Sequence, residues 1–195
     1  IPAIMKEFGV TRSAFSLAVA SGLVGMALGS VLAGVIADKV GRKPVLIASI
    51  FLFGGSTFLI GYATDVTSIA VIRFFAGLGI GAALPAATTL TAEFTPTRFR
   101  TIAVTTAIVC YPLGGMLAGL VAGQVLPVQG WRMFFFIGGA MPIAYAVILI
   151  FLLRESPKYL ARQSSRWEEL RVLMAKMAHE VAHVKEFTDG MITSV

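Results

Sequence analysis

The chain has 195 residues, of which 57% are hydrophobic and only 13% are charged, and its formal net charge is +6. A soluble domain typically carries about 25% charged residues, so this composition excludes an ordinary soluble globular protein. The positive charge does not indicate nucleic-acid binding either, because most basic residues lie between or after long apolar runs.

Five apolar stretches are each long enough to cross a membrane, since a hydrocarbon core of about 30 Å requires roughly 20 mostly apolar residues. Only the third stretch contains a charge, Arg73. A large soluble helical core would need polar stripes at helical spacing, and these stretches are apolar nearly all round. We therefore predict an all-α integral membrane protein with spans at about 13–37, 44–64, 66–92, 101–124 and 133–153.

The connections between these spans alternate in positive charge. One set, together with the residues after the last span, contains most of the Lys and Arg residues, and the other set, together with the residues before the first span, contains only Lys6, Arg12 and Arg132. The positive-inside rule places the first set in the cytoplasm. We expect a multi-pass protein of the cell membrane whose chain starts outside and ends in the cytoplasm, with at least one further helix before Ile1.

The connection after the first span combines a turn signal with four charges. Gly41 permits a tight turn, and Lys39, Arg42 and Lys43 favour a cytoplasmic location. Asp38 does not contribute to membrane orientation, because the positive-inside rule depends on Lys and Arg. A carboxylate beside three cations can exchange partners, but a static local salt bridge explains it equally well, and the residues alone leave both open.

Small residues recur at intervals of four in the first and fourth spans, which allows helix backbones to approach closely in lipid. The two series are Ser21, Gly25, Gly29 and Ala33, and Gly115, Gly119 and Gly123. Proline within a span removes a backbone hydrogen bond and bends the helix. Such a helix usually lines other protein or a cavity, which is our expectation for Pro85, Pro112 and Pro142.

Arg73 is the candidate functional residue inside the membrane. Placing Arg at a helix centre costs about 2.5–3.5 kcal/mol on insertion scales, so such residues are usually functional. Alternatively, Arg73 lies about seven residues from the preceding connection, roughly 10 Å, and could reach the headgroups. The following Gly77, Gly79 and Gly81 favour a function. The guanidinium could attract a substrate carboxylate or tune a proton-carrying acid.

The last part of the sequence, 154–195, is polar and basic. Ser165–Glu168 forms a capping box, which predicts an amphipathic helix at about 166–184 that docks under the bundle or lies on the inner leaflet. His179 and His183 are four residues apart but lack further metal ligands, so we expect no metal. No phosphate loop or catalytic set is present in the sequence, so we expect no cofactor and no enzymatic activity.

Two motifs resemble those of the major facilitator superfamily. Gly34-x-x-x-Asp38-Lys39-x-Gly41-Arg42-Lys43-Pro44 is similar to the signature loop between that family's second and third helices, although Val40 replaces the usual aromatic residue. Arg73-Phe-Phe-Ala-Gly77-Leu-Gly79-Ile-Gly81 resembles its fourth-helix motif. The resemblance implies the second to sixth helices of the N-terminal six-helix bundle, followed by the start of the central cytoplasmic loop.

Further segments resemble the aromatic acid:proton symporters of that family. They are Ala82–Pro85, Thr91–Arg98, which contains Glu93, and Cys110–Gly114. Tyr111 occupies the position at which drug:proton antiporters carry glycine before proline, which favours uptake. Gly130–Phe135 and Glu155–Pro157 also fit, but sugar porters and organic-ion transporters share them.

The resemblance implies a transporter that alternates access to a midplane site between two bundles. Gly34, Asp38, Gly41, Arg42 and Lys43 would form the cytoplasmic gate, and Glu93 would join Arg98 or Arg42 there. Arg73 would take part in proton coupling, while Gly77, Gly81, Pro85, Pro112, Gly115 and Gly119 would pack and bend helices.

The expected function is proton-coupled uptake of small organic anions such as aromatic carboxylates. The expected partners are that anion, the proton, the lipid bilayer and the remaining helices of the transporter, without nucleic acid. Two alternatives stay open. One is a sugar or organic-cation porter of the same family, and the other is a transporter-like membrane sensor.

Overall fold

The computed structural model describes residues 8–9 and 12–161, all but a few of which are helical. The elements are α1 (Arg12–Val40), α2 (Arg42–Ile60), α3 (Val66–Phe94), a 3₁₀ helix (Thr97–Phe99), α4 (Arg100–Leu152) and α5 (Pro157–Ala161). The chain divides into two compact units, Ile1–Arg154 and Glu155–Val195. The all-helical prediction is confirmed. The amphipathic helix predicted at 166–184 and the two histidines lie outside the described residues.

Four helical stretches in the described part of the chain are long and apolar enough to cross a membrane. The first three correspond to the first three predicted spans. The last stretch contains α4, which at 53 residues and about 1.5 Å per residue would extend roughly 80 Å, well beyond a hydrocarbon core of about 30 Å. It therefore has the length of two spans.

A single residue divides α4. Gly130 has φ 78° and ψ 176°, a conformation that a right-handed helix cannot contain, so α4 consists of two segments, 100–129 and 131–152. The sequence predicted a connection of several residues, 125–132, at this place. The structure instead keeps both sides helical, because a glycine with positive φ can interrupt the helix within one residue.

Local signals set the other helix boundaries. Gly41 has φ 109°, which favours glycine, and it alone separates α1 from α2. Asp65 caps α3 by accepting a hydrogen bond from the Ser68 backbone N–H at 3.1 Å. The hydrogen bonds from Ser68 lower the pKa of the Asp65 carboxyl.

Glycines bring α1 and α3 into direct backbone contact. A side-chain carbon at Gly25 or Gly29 would collide with the backbone of Phe74 or Leu78 in α3. In return, a carbon at Gly77 or Gly81 would collide with the backbone of Gly22 or Met26 in α1. We call this contact, formed by Gly25, Gly29, Gly77 and Gly81, the glycine seam. Small residues at intervals of four thus accompany close helix packing in this pair.

The fourth-span glycines do not behave in this way. Added carbons at Gly115, Gly119 and Gly123 would meet no atom within 4 Å in the described structure. Most of segment 100–129 is exposed. The expected packing of Gly115 and Gly119 is therefore absent within the described part of this chain, where no helix covers that face.

Two apolar clusters mark the two ends of the first unit. One consists of Ala18, Ile60, Ala63, Ile69 and Trp131, at the starts of α1, α3 and segment 131–152 and the end of α2. The other consists of Ala33, Ala37, Val45, Leu46, Ala82, Ala86 and Leu90, toward the ends of α1 and α3 and the start of α2. The charged connection after α1 lies at this second end.

Candidate functional site

Arg42 is the centre of a charge cluster at the end of the bundle where α1 and α3 terminate. The turn at Gly41 places it in the first turn of α2, between those two helices. Its Nη2 lies 2.9 Å from Oδ1 of Asp38 in α1. Its Nε lies 3.7 Å from Oε1 of Glu93 in α3, and its Nη1 donates to the Ala37 carbonyl at 3.4 Å. One guanidinium thus links three helices.

The two carboxylates that face Arg42 differ in environment. The Asp38 side chain is 61% exposed, whereas that of Glu93 is 7% exposed. An exposed ion pair typically contributes about 0–1 kcal/mol, so the Asp38–Arg42 pair can open at low cost. Removing one partner of a buried pair costs about 3–5 kcal/mol, because a charge is left uncompensated. At 3.7 Å the Glu93–Arg42 pair is the longer of the two, but separating it would leave the Glu93 charge buried, so we expect it to be the harder pair to open.

A small cavity of about 240 Å³ adjoins this cluster. A side-chain carbon at Gly34, on the cavity wall, would meet no atom within 4 Å. Close packing among the described helices therefore does not require glycine here, and Gly34 instead leaves space beside Asp38. The other lining residues are Ala33, Ala37, Asp38, Arg42, Pro85, Ala86 and Thr89.

The neighbouring cations make other contacts. From the sequence, either Arg98 or Arg42 was expected to be the ion-pair partner of Glu93. The structure pairs Glu93 with Arg42, and the Arg98 guanidinium lies 5.3 Å from the centre of the Phe99 ring. The Lys43 Nζ donates to the Ile150 carbonyl at 2.9 Å.

Arg100 makes a contact that was not predicted from the sequence. Its Nε donates to the Ala92 carbonyl, in the last turn of α3, at 2.9 Å. The available signal was a basic residue soon after a helix end, because such residues often bind the last carbonyls. In the sequence this positive charge is otherwise a marker of topology.

Arg73 lies in α3 one turn before the seam and is half-buried. Its Nε is buried, and no hydrogen-bond partner for it is present among the described residues. A donor buried without an acceptor costs about 1–3 kcal/mol, so this position favours an acceptor that completes the site. The Arg73 backbone carbonyl faces Gly22 of α1, where an added carbon would lie 3.4 Å away. The close packing of α1 therefore fixes the backbone that carries the guanidinium.

A second cavity opens between α1, α3 and the first segment of α4. Its volume is about 560 Å³, within the range of roughly 300–1,000 Å³ that is usual for small-molecule sites. The lining is mostly apolar, with Ser30 and Thr88 as its polar side chains. The lining residues are Leu23, Met26, Ala27, Ser30, Gly81, Leu84, Pro85, Thr88 and Ile108.

Pro85 gives this cavity a polar backbone patch. Proline has no N–H, so the Gly81 carbonyl one turn earlier loses its usual helical donor. The Thr88 hydroxyl bonds to the carbonyls of Leu84 at 3.0 Å and Pro85 at 3.2 Å. The helix remains continuous through Pro85. The cavity therefore combines apolar walls with a few polar groups.

Comparison with known proteins places these features in context. Residues 1–190 match the family described as Major Facilitator Superfamily. The chain is 37% identical over 187 residues to the 4-hydroxybenzoate transporter PcaK of Pseudomonas aeruginosa, covering 95% of this chain and 42% of that protein. It is 33% identical over 187 residues to the gallate transporter of Pseudomonas putida, covering 96% and 42%.

Solved structures show a similar arrangement of helices. The inward open conformation of the xylose transporter XylE from E. coli superposes with a TM-score of 0.68 at 25% identity, covering 89% of this chain and 47% of that chain. The present chain spans about two fifths of the length of these curated relatives.

Proposed function

Because the chain belongs to the major facilitator superfamily, we propose that it forms the first bundle of a proton-coupled importer of small organic anions, above all aromatic carboxylates. The observation that carries this proposal is the similarity of nearly the whole chain to transporters of 4-hydroxybenzoate and gallate. Transport would proceed by alternating access to a site between this bundle and the remaining helices.

The cavity between α1, α3 and α4 supports an aromatic substrate. Its apolar walls suit a ring, and the polar groups near Thr88 and Pro85 suit a ring substituent. The substrate carboxylate needs a cation, and Arg73 offers a buried donor that lacks a partner among the described residues. Arg73 does not line the cavity as described. It would therefore act either on a carboxylate that reaches further along α3 or on a proton-carrying acid of another helix.

The cluster around Arg42 supports a gate on the cytoplasmic side. The exposed Asp38 is the partner that would be exchanged in each transport cycle, because its pair with Arg42 is inexpensive to open. The buried Glu93 would hold Arg42 in place meanwhile. The space beside Gly34 would admit the approaching part of the other bundle. In this orientation the chain starts outside the cell and its last residues are cytoplasmic.

Uptake of labelled 4-hydroxybenzoate by cells that express the complete transporter tests the function. We expect accumulation that collapses when a protonophore dissipates the proton gradient. Accumulation that survives the protonophore and follows the ATP level would contradict proton coupling. Competition by unlabelled sugars or organic cations, without competition by benzoates, would instead identify another kind of porter. Binding without accumulation would favour a membrane sensor.

The substitution Asp38→Asn tests the gate. We expect it to reduce initial uptake severely at normal surface expression, because the exchangeable carboxylate is lost while the cations that fix topology remain. Lys39→Ala is the matched control, since Lys39 is an exposed charge of the same connection. Normal transport by Asp38→Asn would mean that the pair with Arg42 is only a local salt bridge.

A further inference from the structure

Three helices of the first unit end near one another, and each receives a hydrogen bond from a cation. Arg42 donates to Ala37 near the end of α1, Arg100 to Ala92 near the end of α3, and Lys43 to Ile150 near the end of α4. The last four carbonyls of a helix lack intrahelical partners, and the C-terminal end of a helix attracts positive charge. The Ala37 carbonyl also accepts the Gly41 backbone N–H, so Arg42 adds to an end that is already bonded, whereas Arg100 and Lys43 bind helix-end carbonyls in addition to marking topology.

The contact of Lys43 differs from those of Arg42 in the helices that it joins. Lys43 bonds across 107 residues of sequence and connects the first turn of α2 with the last turn of α4. The same two helices also pack closely further along, where an added carbon at Gly139 would collide with the backbone of Phe58 in α2. Lys43 thus adds a polar bond at one end of an interface that is already tightly packed.

Arg42 and Lys43 are consecutive, and successive side chains of a helix point about 100° apart. The guanidinium of Arg42 reaches α1 and α3, and the ammonium of Lys43 reaches α4. One turn of α2 is therefore fastened to α4 while it presents Arg42 to the exposed Asp38.

We propose that Lys43 is a positioning residue, which holds the start of α2 against the end of α4 throughout the transport cycle. It is not one of the charges that exchange partners in the gate. This inference rests on the gate proposed above, because it assigns to Lys43 the fixed base from which Arg42 acts.

Hydrogen exchange followed by mass spectrometry in the complete transporter tests this inference. We expect Lys43→Met to raise severalfold the exchange of peptides that cover 147–154, at the end of α4, while peptides that cover 89–97, at the end of α3, keep their protection. Lys43→Arg should restore protection, because it retains a cationic donor. Lys39→Met, the control in the preceding turn, should leave both regions as in the wild type.

A second comparison separates positioning from gating. Asp38→Asn should leave the exchange of 147–154 unchanged, since the contact of Lys43 is independent of the pair that opens. Initial uptake should fall in Lys43→Met and recover in Lys43→Arg. Wild-type protection of 147–154 in Lys43→Met would overturn the proposal, and so would increased exchange there in Asp38→Asn or normal uptake in Lys43→Met.

The failure of the proposed function would be recognised separately. If the wild-type transporter itself took up no 4-hydroxybenzoate, the assigned substrate would be wrong. The exchange patterns of the Lys43 and Asp38 variants would still decide whether the fixed contact exists, because they require no substrate.

Discussion

Two rows of small residues with the same spacing have different surroundings. In α1, Gly25 and Gly29 meet the backbone of α3, whereas in segment 100–129 of α4, Gly115 and Gly119 face open space. Small residues at intervals of four indicate that another helix can approach closely along one face. This pattern does not identify the helix that approaches, because that depends on the whole arrangement of the bundle. The glycine seam and the open face therefore share one sequence pattern. The seam has a partner helix among the described residues, and the open face has none there.

The largest effect is expected within the seam. Gly81→Ala would place a carbon against the Met26 carbonyl of α1, and this backbone atom cannot move aside as a flexible side chain could. Overpacking of this kind costs about 1–3 kcal/mol and occasionally more, so we expect little folded protein. The measurement is the yield and thermal stability of the complete transporter in detergent.

Gly55→Ala is the matched control for the seam, since an added carbon at Gly55 in α2 meets no atom within 4 Å. It should be neutral or slightly stabilising, because glycine is the weaker helix former by about 0.5–1 kcal/mol. Equal stability of the Gly81 and Gly55 variants would show that α1 and α3 are not in close contact.

The next largest effect is expected on uptake, from substitution of Arg73, which lies just before the seam. Arg73→Lys keeps a positive charge but loses the planar fork, so we expect initial uptake, normalised to surface expression, to fall steeply if the guanidinium has a partner inside the bundle. A snorkelling arginine would tolerate lysine, since both side chains reach the interface on flexible stems.

Arg132→Lys provides the exposed comparison for Arg73. The Arg132 guanidinium lies 4.6 Å from the centre of the Trp131 ring, a contact that an ammonium can also make. We expect near-normal uptake in this variant. Equally normal rates for both variants would show that Arg73 is a membrane anchor.

The smallest effect is expected on the open face. If a helix outside this chain covers Gly119 in the complete transporter, Gly119→Ala should destabilise it, by about 1–2 kcal/mol, as moderate overpacking does. This change should be smaller than that of Gly81→Ala, whose clash with backbone is direct. A Gly119 variant as stable as the Gly55 control would mean that lipid alone contacts this face, and the two rows would then differ in role as well as in partner.

Much of the fold was predictable because it depends on length, composition and local conformation. Apolar runs of about 20 residues predict membrane helices, and Gly41 predicts a sharp turn, since both properties are local. The break at Gly130 was less predictable, because a glycine does not reveal whether its φ is positive until the flanking helices are placed. A connection of several residues and a break of one residue look alike in an apolar sequence.

The candidate site was predictable in its residues and less so in its pairings. Asp38, Arg42 and Glu93 were selected from motifs, but the sequence left Arg98 and Arg42 equivalent as partners of Glu93. Only the packing of α2 against α3 decides for Arg42. The contacts of Lys43 and Arg100 with helix-end carbonyls were missed for a related reason. A backbone carbonyl leaves no signature of its own in the sequence, so a basic residue near a helix end, such as Arg100, indicates a contact of this kind without identifying the carbonyl that it binds.

The single-residue break at Gly130 also has a consequence for biosynthesis. The membrane-insertion machinery receives a run of 56 residues, Thr97–Leu152, with a mean hydropathy of 2.3 in its most apolar window and no hydrophilic loop within it. Arg132, two residues beyond the break, is the only charged residue between Arg100 and Arg154. Orientation signals act through charges close to the ends of a span, and here Arg98, Arg100 and Arg154 lie at the two ends of the whole run, with Arg132 alone at its division. Because the charges at both ends of the run favour the same side of the membrane, the two segments of α4 should enter the bilayer as a pair.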